Sequence, residues 1–436
     1  MRTAVPVVEP DEPGAGAVEA PPRPARRSVW LVPVAVGAVV RAVHWAVISP
    51  DWVPRSDAAQ YVALARSIAR GDGFAATFPS GVEHATAFRP PLYPMLLAVP
   101  TRLLGDHVLW PARLLSLLLG LGVIALAVTY ARRIAGDRAG LVAGLAVAVL
   151  PSLVANDTIA LSEPLGLLLV VGVLLALDAR RPVVAGALTG MLLLTRPNAY
   201  LVLLVVAVVL WRTVGWRRAA TAAGVCVLVV APWAIRNAVQ VGTPKLVTSD
   251  GFTLAAIYGP PAQESGGFFD PTGSTGWYAE HGVTALEPDE GAWSDRLVEI
   301  GLEGMREHPS SVAERVVDGA QTMLEVPGHR ASEAELVDGR DPRFRDSTLW
   351  VFPLVVVAGA IGTALRLRDR RTWPALAIAG QFVLVSLVLV SVPRLRGPFD
   401  LLMCVGIGYL AAWLAERPAV RDDPGPVRGA PAAAPE

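Results

Sequence analysis

An all-α polytopic membrane protein is the fold class this chain predicts, with about ten transmembrane helices, interfacial helices in the first outer loop and an outer-face loop domain. Three observations carry it. The 436 residues are 53% hydrophobic and only 17% charged, with a mean hydropathy of +0.47, well outside soluble composition. The apolar residues gather into runs of membrane-spanning length. The arginines follow a rhythm, dense in every second loop and sparse in the loops between.

Composition also removes other classes. The formal net charge is zero, and no block of Lys or Arg interleaved with aromatics offers a base-stacking platform, so nucleic acid is not an expected partner. Cys226 and Cys404 fall inside apolar runs, where a thiol packs as a small apolar group. The histidines His281, His308 and His329 have no ligand spacing.

In chain order, residues 1–28 are rich in Pro, Ala, Gly and Glu and lack the large apolar side chains needed to offset ordering entropy, which predicts a disordered tail. The first apolar run extends from Trp30 to about Ile48. Arg23, Arg26 and Arg27 precede it, which predicts a cytoplasmic amino terminus and an outer position for the loop 49–109. Further apolar runs cover 110–131, 139–155, 161–177, 182–195, 198–211, 217–236, 347–365, 373–392 and 397–415. If the runs alternate in direction, the loops at Arg132–Arg138, Arg180–Arg181, Arg212–Arg218 and Arg366–Arg371 and the tail from Arg417 all fall on the cytoplasmic side. The predicted organisation is a transmembrane catalytic module over 29–236 that includes the outer loop 49–109, an extracytoplasmic loop domain over 237–346, terminal transmembrane helices over 347–416, and a disordered cytoplasmic tail over 417–436. The cell membrane is the predicted location, with the site on its outer face.

The first outer loop holds the most informative stretch. A helix opening at Ser56 or Asp57 would place Asp57, Tyr61 and Ala65 on one face, holding a carboxylate at the membrane surface. Gly71-Asp-Gly73 is a turn signal, and Met95–Leu104 is apolar but too short to span, which predicts an interfacial helix. In the loop domain, helical periodicity marks Gly291–His308 and Ser310–Leu324, separated by Pro309. Thr248–Phe252 and Gly259-Pro-Pro261 are expected as turns.

Six short motifs occur down the chain, Ser56-Asp57-Ala-Ala-Gln-Tyr61, Arg89-Pro-Pro-Leu-Tyr93-Pro94, Leu161-Ser-Glu163-Pro, Thr195-Arg196-Pro197, Pro232-Trp-Ala-Ile-Arg236-Asn237 and Pro393-Arg394-Leu-Arg396. Together they resemble the membrane-embedded GT-C glycosyltransferases of the protein mannosyltransferase and aminoarabinose transferase type, with Leu395 replacing the usual aromatic. The resemblance covers about residues 30–415 and implies an inverting transfer of a sugar from a polyprenyl-phosphate donor to a protein, lipid or polysaccharide acceptor at the outer face of the membrane. Inversion by single displacement needs a carboxylate to take the acceptor proton and cationic groups to stabilise the departing phosphate. The resemblance therefore implies Asp57 as base, Glu163 as a second carboxylate, and Arg89, Arg196, Arg236, Arg394 and Arg396 as phosphate ligands, with Tyr61 and Tyr93 lining a sugar pocket. A divalent cation shared by the carboxylates and neutralisation by arginine alone are both open.

Each residue also has a plainer reading. Asp57 and Glu163 are acids in a first helical turn, which the helix dipole favours. Arginines at span ends reach the interface by default, and tyrosines there serve as anchors. Asp157 reads as a loop residue, and Arg41 and His44 as an interhelical polar contact. The functional alternative is a lipid or sugar-lipid flippase, whose charged residues would line a path across the bilayer.

Overall fold

The computed structural model describes residues 28–105, 109–272, 276–283, 289–326 and 340–416, so the two expected tails lie outside them apart from Ser28. The chain is built from helices. Among the described residues the one sheet is a short antiparallel hairpin, β1 (Ala75–Ala76) on β2 (His84–Ala85), with Ala75 opposite Ala85.

An apolar helix stands in each region where a span was expected. Helix α1 (Ser28–Val43) runs on as a π-helical turn, His44–Ile48. The amphipathic α2 (Ser56–Arg70) and the short α3 (Leu92–Leu104) form the first loop. Next comes α4 (Trp110–Val149), which is two helices joined at a break where Ala135 leaves helical geometry and Gly136 takes φ +82°. That break lies inside the predicted arginine-rich loop, and glycine tolerates the left-handed backbone it needs. Pro151 starts a separate short helix, α5 (Pro151–Asn156), so the run 139–155 is divided. The chain then passes through α6 (Glu163–Asp178), α7 (Pro182–Leu193), α8 (Tyr200–Val214) and α9 (Trp216–Gln240). The helices Val351–Leu365, Thr372–Val388 and Gly397–Glu416 close the bundle.

By length and composition, 5 helices among the described residues are able to cross a membrane, or 6 if Pro342–Thr348 and Val351–Leu365, bent by 48°, count as one span. The shorter α7 is about 18 Å long at the helical rise, less than the hydrocarbon thickness, and packs against α6 and α9. Much of the bundle surface is apolar, with Leu228 at 72% and Val39 at 63% exposure, which suits contact with lipid tails. Close helix contacts use small residues. A side chain on Gly359 would collide with the Met403 backbone and one on Gly406 with the Gly359 carbonyl, which lets Val351–Leu365 lie against Gly397–Glu416.

Buried charge pairs pin the helices. Arg41 of α1 meets Asp157 at 2.5 Å with the two side chains 0% and 7% exposed, and also donates to the Ala148 carbonyl at 2.9 Å. Asp157 is therefore an interhelical ion-pair partner and not a simple loop residue. His44 Nδ1 lies 2.9 Å from the Thr158 hydroxyl on the next turn. At one end of the bundle Arg133 pairs with Asp178 at 2.8 Å, and Arg371 donates to the Arg133 carbonyl. Arginine-rich connections distant in sequence thus share one end, and the acidic first turns of α2 and α6 lie at the other.

The loop domain departs from expectation at its start. Thr248–Phe252 is not a turn: Ser249 opens α10 (Ser249–Tyr258), and Gly251 lets this helix press on the Ser294 backbone of α13 (Glu290–Glu307). Pro260 likewise starts a short helix, α11 (Pro260–Ser265), and the single turn α12 (Trp277–Glu280) comes between it and α13. The expected pair of later helices is present as α13 and α14 (Pro309–Met323). Phe88 from the first loop packs with Ala255, Trp293, Leu297 and Ile300, so the loop domain closes over the hairpin.

Candidate active site

Three chain segments bring their ends together. Helix α2 buries Ala58, Tyr61, Val62, Leu64 and Ala65 and packs on α3, which fixes Asp57 in its first turn. Helix α6 starts at Glu163, with Pro164 pre-set for the first turn and Ser162 as its cap residue. The 3₁₀ turn Pro393–Arg396 precedes the last helix and delivers Arg394.

Arg394 forks between two carboxylates. One guanidinium nitrogen meets Asp57 Oδ2 at 2.6 Å and the other Glu163 Oε1 at 2.9 Å. Arg89 binds the second Asp57 oxygen at 2.5 Å and Gln60 Oε1 through Nε. Arg196 lies 3.0 Å from Glu163 Oε1. The arrangement is a line of alternating charge, Arg89, Asp57, Arg394, Glu163 and Arg196, in which three guanidiniums outnumber two carboxylates. Burial pushes the Asp57 carboxyl up, but the Arg89 and Arg394 charges outweigh it and hold it well below its ordinary range. The surplus positive charge suits an anion carrying more than one oxygen.

Tyr61 lies beside this line, its hydroxyl 3.1 Å from the Ser162 hydroxyl and its ring under the Arg89 guanidinium. Tyr93 is fully buried behind it, edge-on to Tyr61 at 5.2 Å between ring centres and hydrogen-bonded with Ser116. The structure thus brings Asp57, Glu163, Arg89, Arg196, Arg394 and Tyr61 together and sets Tyr93 one layer back.

Two of the sequence candidates lie elsewhere. Arg236 donates to the carbonyls of Thr86 and Phe74 and stacks on Trp233, which ties α9 to the hairpin. Arg396 is buried and turns away from Arg394, pairing with Asp400 at 2.9 Å and Glu325 at 2.7 Å over the Phe352 ring. Its neighbours already satisfy its charge, so its place is in the packing between the last helix and the loop domain.

Sequence reasoning missed Gln60 and Ser162. Gln60 sits three residues beyond Asp57, on the same face of α2, and Ser162 immediately precedes Glu163. Helical spacing marks the first and the cap position the second.

Two pockets flank the line of charge. One, of about 420 Å³ including its open part, lies between Glu163, Arg196, Arg394, Leu167 and Phe382. The other, of about 530 Å³ on the same basis, is lined by Gln60, Leu64, Thr77, Phe78 and Arg89. Glu163 Oε2 is buried and has no hydrogen-bond partner among the described residues. Among those residues no three His, Cys, Asp or Glu side chains gather as a metal site.

Comparison with known proteins follows the same lines. Residues 88–235 match the model of the dolichyl-phosphate-mannose-protein mannosyltransferase family. The chain superposes on the apo oligosaccharyltransferase of Archaeoglobus fulgidus with a TM-score of 0.52 at 13% identity, covering 88% of this chain and 50% of that one. For the same archaeal enzyme, AglB, in complex with an inhibitory peptide and a dolichol-phosphate, the TM-score is 0.50 at 15% identity, covering 88% and 49%. Cupriavidus metallidurans ArnT bound to undecaprenyl phosphate is also similar, with a TM-score of 0.42, 17% identity and 89% and 79% coverage. No curated protein matches the sequence. The chain spans about half the length of the archaeal enzyme it resembles.

Proposed function

Because this chain is a multi-pass membrane protein with the GT-C glycosyltransferase fold, we propose that it transfers a sugar from a polyprenyl-phosphate donor to an acceptor hydroxyl at the outer face of the membrane. The observation that carries the proposal is the Arg394 fork joining Asp57 and Glu163 at the edge of a pocket with apolar walls. A lipid-linked phosphate needs this combination, with cations for the head group and apolar surface for the chain behind it. The family-model match over 88–235 and the fold shared with an enzyme solved with dolichol-phosphate support the same donor class.

In this reading the donor phosphate occupies the pocket of Glu163 and meets Arg394 and Arg196. It draws these cations from the carboxylates. Asp57, which two guanidiniums hold strongly acidic in the resting site, becomes more basic as Arg394 turns to the phosphate. The acceptor oxygen then attacks the anomeric carbon as Asp57 takes its proton. The bond from that carbon to the phosphate oxygen breaks, its electrons leave with the phosphate, and the anomeric centre inverts. A phosphate monoester leaves as an anion without a general acid, so stabilisation falls to the arginines.

The test is release of polyprenyl phosphate from a panel of radiolabelled polyprenyl-phosphate sugars by the purified chain, with a cell-envelope extract supplying acceptors. Wild type should consume one donor, and Asp57→Asn should lower that rate by about 10²- to 10⁴-fold while still binding the lipid. A wild type that binds the lipid and never breaks the sugar–phosphate bond would point instead to a flippase.

A further inference from the structure

We propose that the pocket of Gln60, Thr77, Phe78 and Arg89 is the acceptor subsite and that it takes a saccharide hydroxyl. This inference rests on the transferase reading and adds to it the class of acceptor. It starts from Asp57, whose two oxygens pair with arginines that line two different cavities. Oδ2 meets Arg394, which lines the pocket of Glu163, and Oδ1 meets Arg89, which lines the pocket of Gln60. In-line displacement needs the leaving group and the attacking oxygen on opposite sides of one carbon, with the base on the attacking side. If phosphate lies on the Arg394 side, the acceptor comes from the Arg89 side.

The lining of that second pocket selects among acceptors. It measures about 530 Å³ including its open part. One wall is apolar and partly aromatic, with Leu64 and the half-exposed Phe78 ring, which suits the C–H face of a pyranose. Facing it are hydrogen-bonding side chains. Gln60 accepts from Arg89 through Oε1, which leaves its Nε2 hydrogens for a ligand, and the Thr77 hydroxyl lies on the exposed rim.

Several backbone groups of the same wall are already committed. The Thr77 carbonyl accepts from Gly81, the Ala76 carbonyl lies 3.2 Å from His84 Nδ1, and the Thr86 carbonyl accepts from Arg236. The amides of Ala87 and Phe88 donate to Glu290 and to the Thr86 hydroxyl. An extended peptide binds by adding main-chain hydrogen bonds to a strand edge, and these groups are not free to provide them. A sugar needs side-chain donors and a ring face, and those are what the pocket presents. In the transfer, a sugar hydroxyl gives its proton to Asp57 Oδ1 as its oxygen bonds to the anomeric carbon, and the lipid phosphate departs on the Arg394 side.

The first variant fills the pocket without touching the charged line, and the second removes an amide that also accepts from Arg89. Ala63 is exposed on α2 and lines this pocket, so Ala63→Trp occupies the space with little strain on the fold; Gln60→Leu removes the amide. Full-length protein in detergent is given its donor with short mannosides, arabinosides and glucosides, and separately with a threonine-containing peptide. Binding of free polyprenyl phosphate is measured in parallel. The expected result is transfer to a saccharide by wild type, with acceptor KM raised at least about tenfold in both variants, while donor KM and lipid-phosphate binding stay within about twofold. An unchanged acceptor KM in Ala63→Trp overturns the subsite. Transfer to the peptide alone, or to none of the saccharides, overturns the acceptor class. Failure of wild type to bind polyprenyl phosphate would instead sink the transferase reading, a result read in a separate assay.

Discussion

Arg394 and Asp57 stand 337 positions apart in the chain and meet at 2.6 Å. The same guanidinium reaches Glu163, so one side chain from the last turn before the final helix joins the first turns of α2 and α6. The site exists only when the beginning and end of the chain have packed together. Its geometry therefore reports on the whole bundle, and substitutions there affect both chemistry and assembly.

Arg394→Lys keeps the charge and loses the fork. A lysine ammonium is a point charge that cannot hold two carboxylates and then present two parallel donors to a phosphate. We expect kcat to fall by about 10²-fold, the scale of losing one preorganised donor, with donor KM rising as well. Steady-state kinetics on the donor that the panel of polyprenyl-phosphate sugars picks out provide the check, and an unchanged kcat would remove Arg394 from the phosphate site.

Acid sensitivity should trace to Asp57. Its carboxyl is held below the ordinary value of 3.8 in the folded chain, against the burial that alone would raise it. The unfolded chain therefore binds the extra proton first, and stability rises with pH across that interval. The contribution is complete above the unfolded value and is lost as pH falls toward the folded one. Thermal unfolding in detergent, followed from about pH 5 downward, should show a drop that Asp57→Asn makes shallower. An equally steep drop in the variant would assign the effect to other carboxylates.

The Arg41–Asp157 pair offers a test of packing within the bundle. Removing one partner strands the other in a buried site, so Arg41→Leu or Asp157→Leu should each destabilise by about 3–5 kcal/mol. The double substitution leaves no unpaired charge and should recover much of that loss. Thermal melts of the two single variants and the double variant form the cycle; simple additivity would mean the two charges do not interact.

Much of the fold was legible in the sequence because its signals are local. A bilayer imposes apolar runs of fixed length, and arginine density sorts the connections, so apolar helices stand where 30–48 and the later runs placed them. The break at Ala135–Gly136 was written in the arginines of that loop and in a glycine that accepts a left-handed backbone. Helix α10 was missed because Ser-Asp-Gly is a turn signal in isolation, and only contact with Ser294 of α13 makes the glycine a packing residue.

The site divides in the same way. Helical spacing put Asp57 and Tyr61 on one face, and the motif resemblance named Asp57, Tyr61 and Glu163 as site residues. Which arginine faces them could not be read from spacing. Arg394 and Arg396 are two residues apart in one motif, yet the 3₁₀ turn sends Arg394 to Asp57 and Glu163 and Arg396 to Asp400 and Glu325. Asp157, plain in sequence, became half of a buried ion pair once α1 packed across it. The sequence by itself determined where the apolar helices form, because hydropathy acts over a few residues. Only the tertiary structure decided which charges meet, because a buried charge requires a partner at contact distance and the folded bundle alone sets those distances.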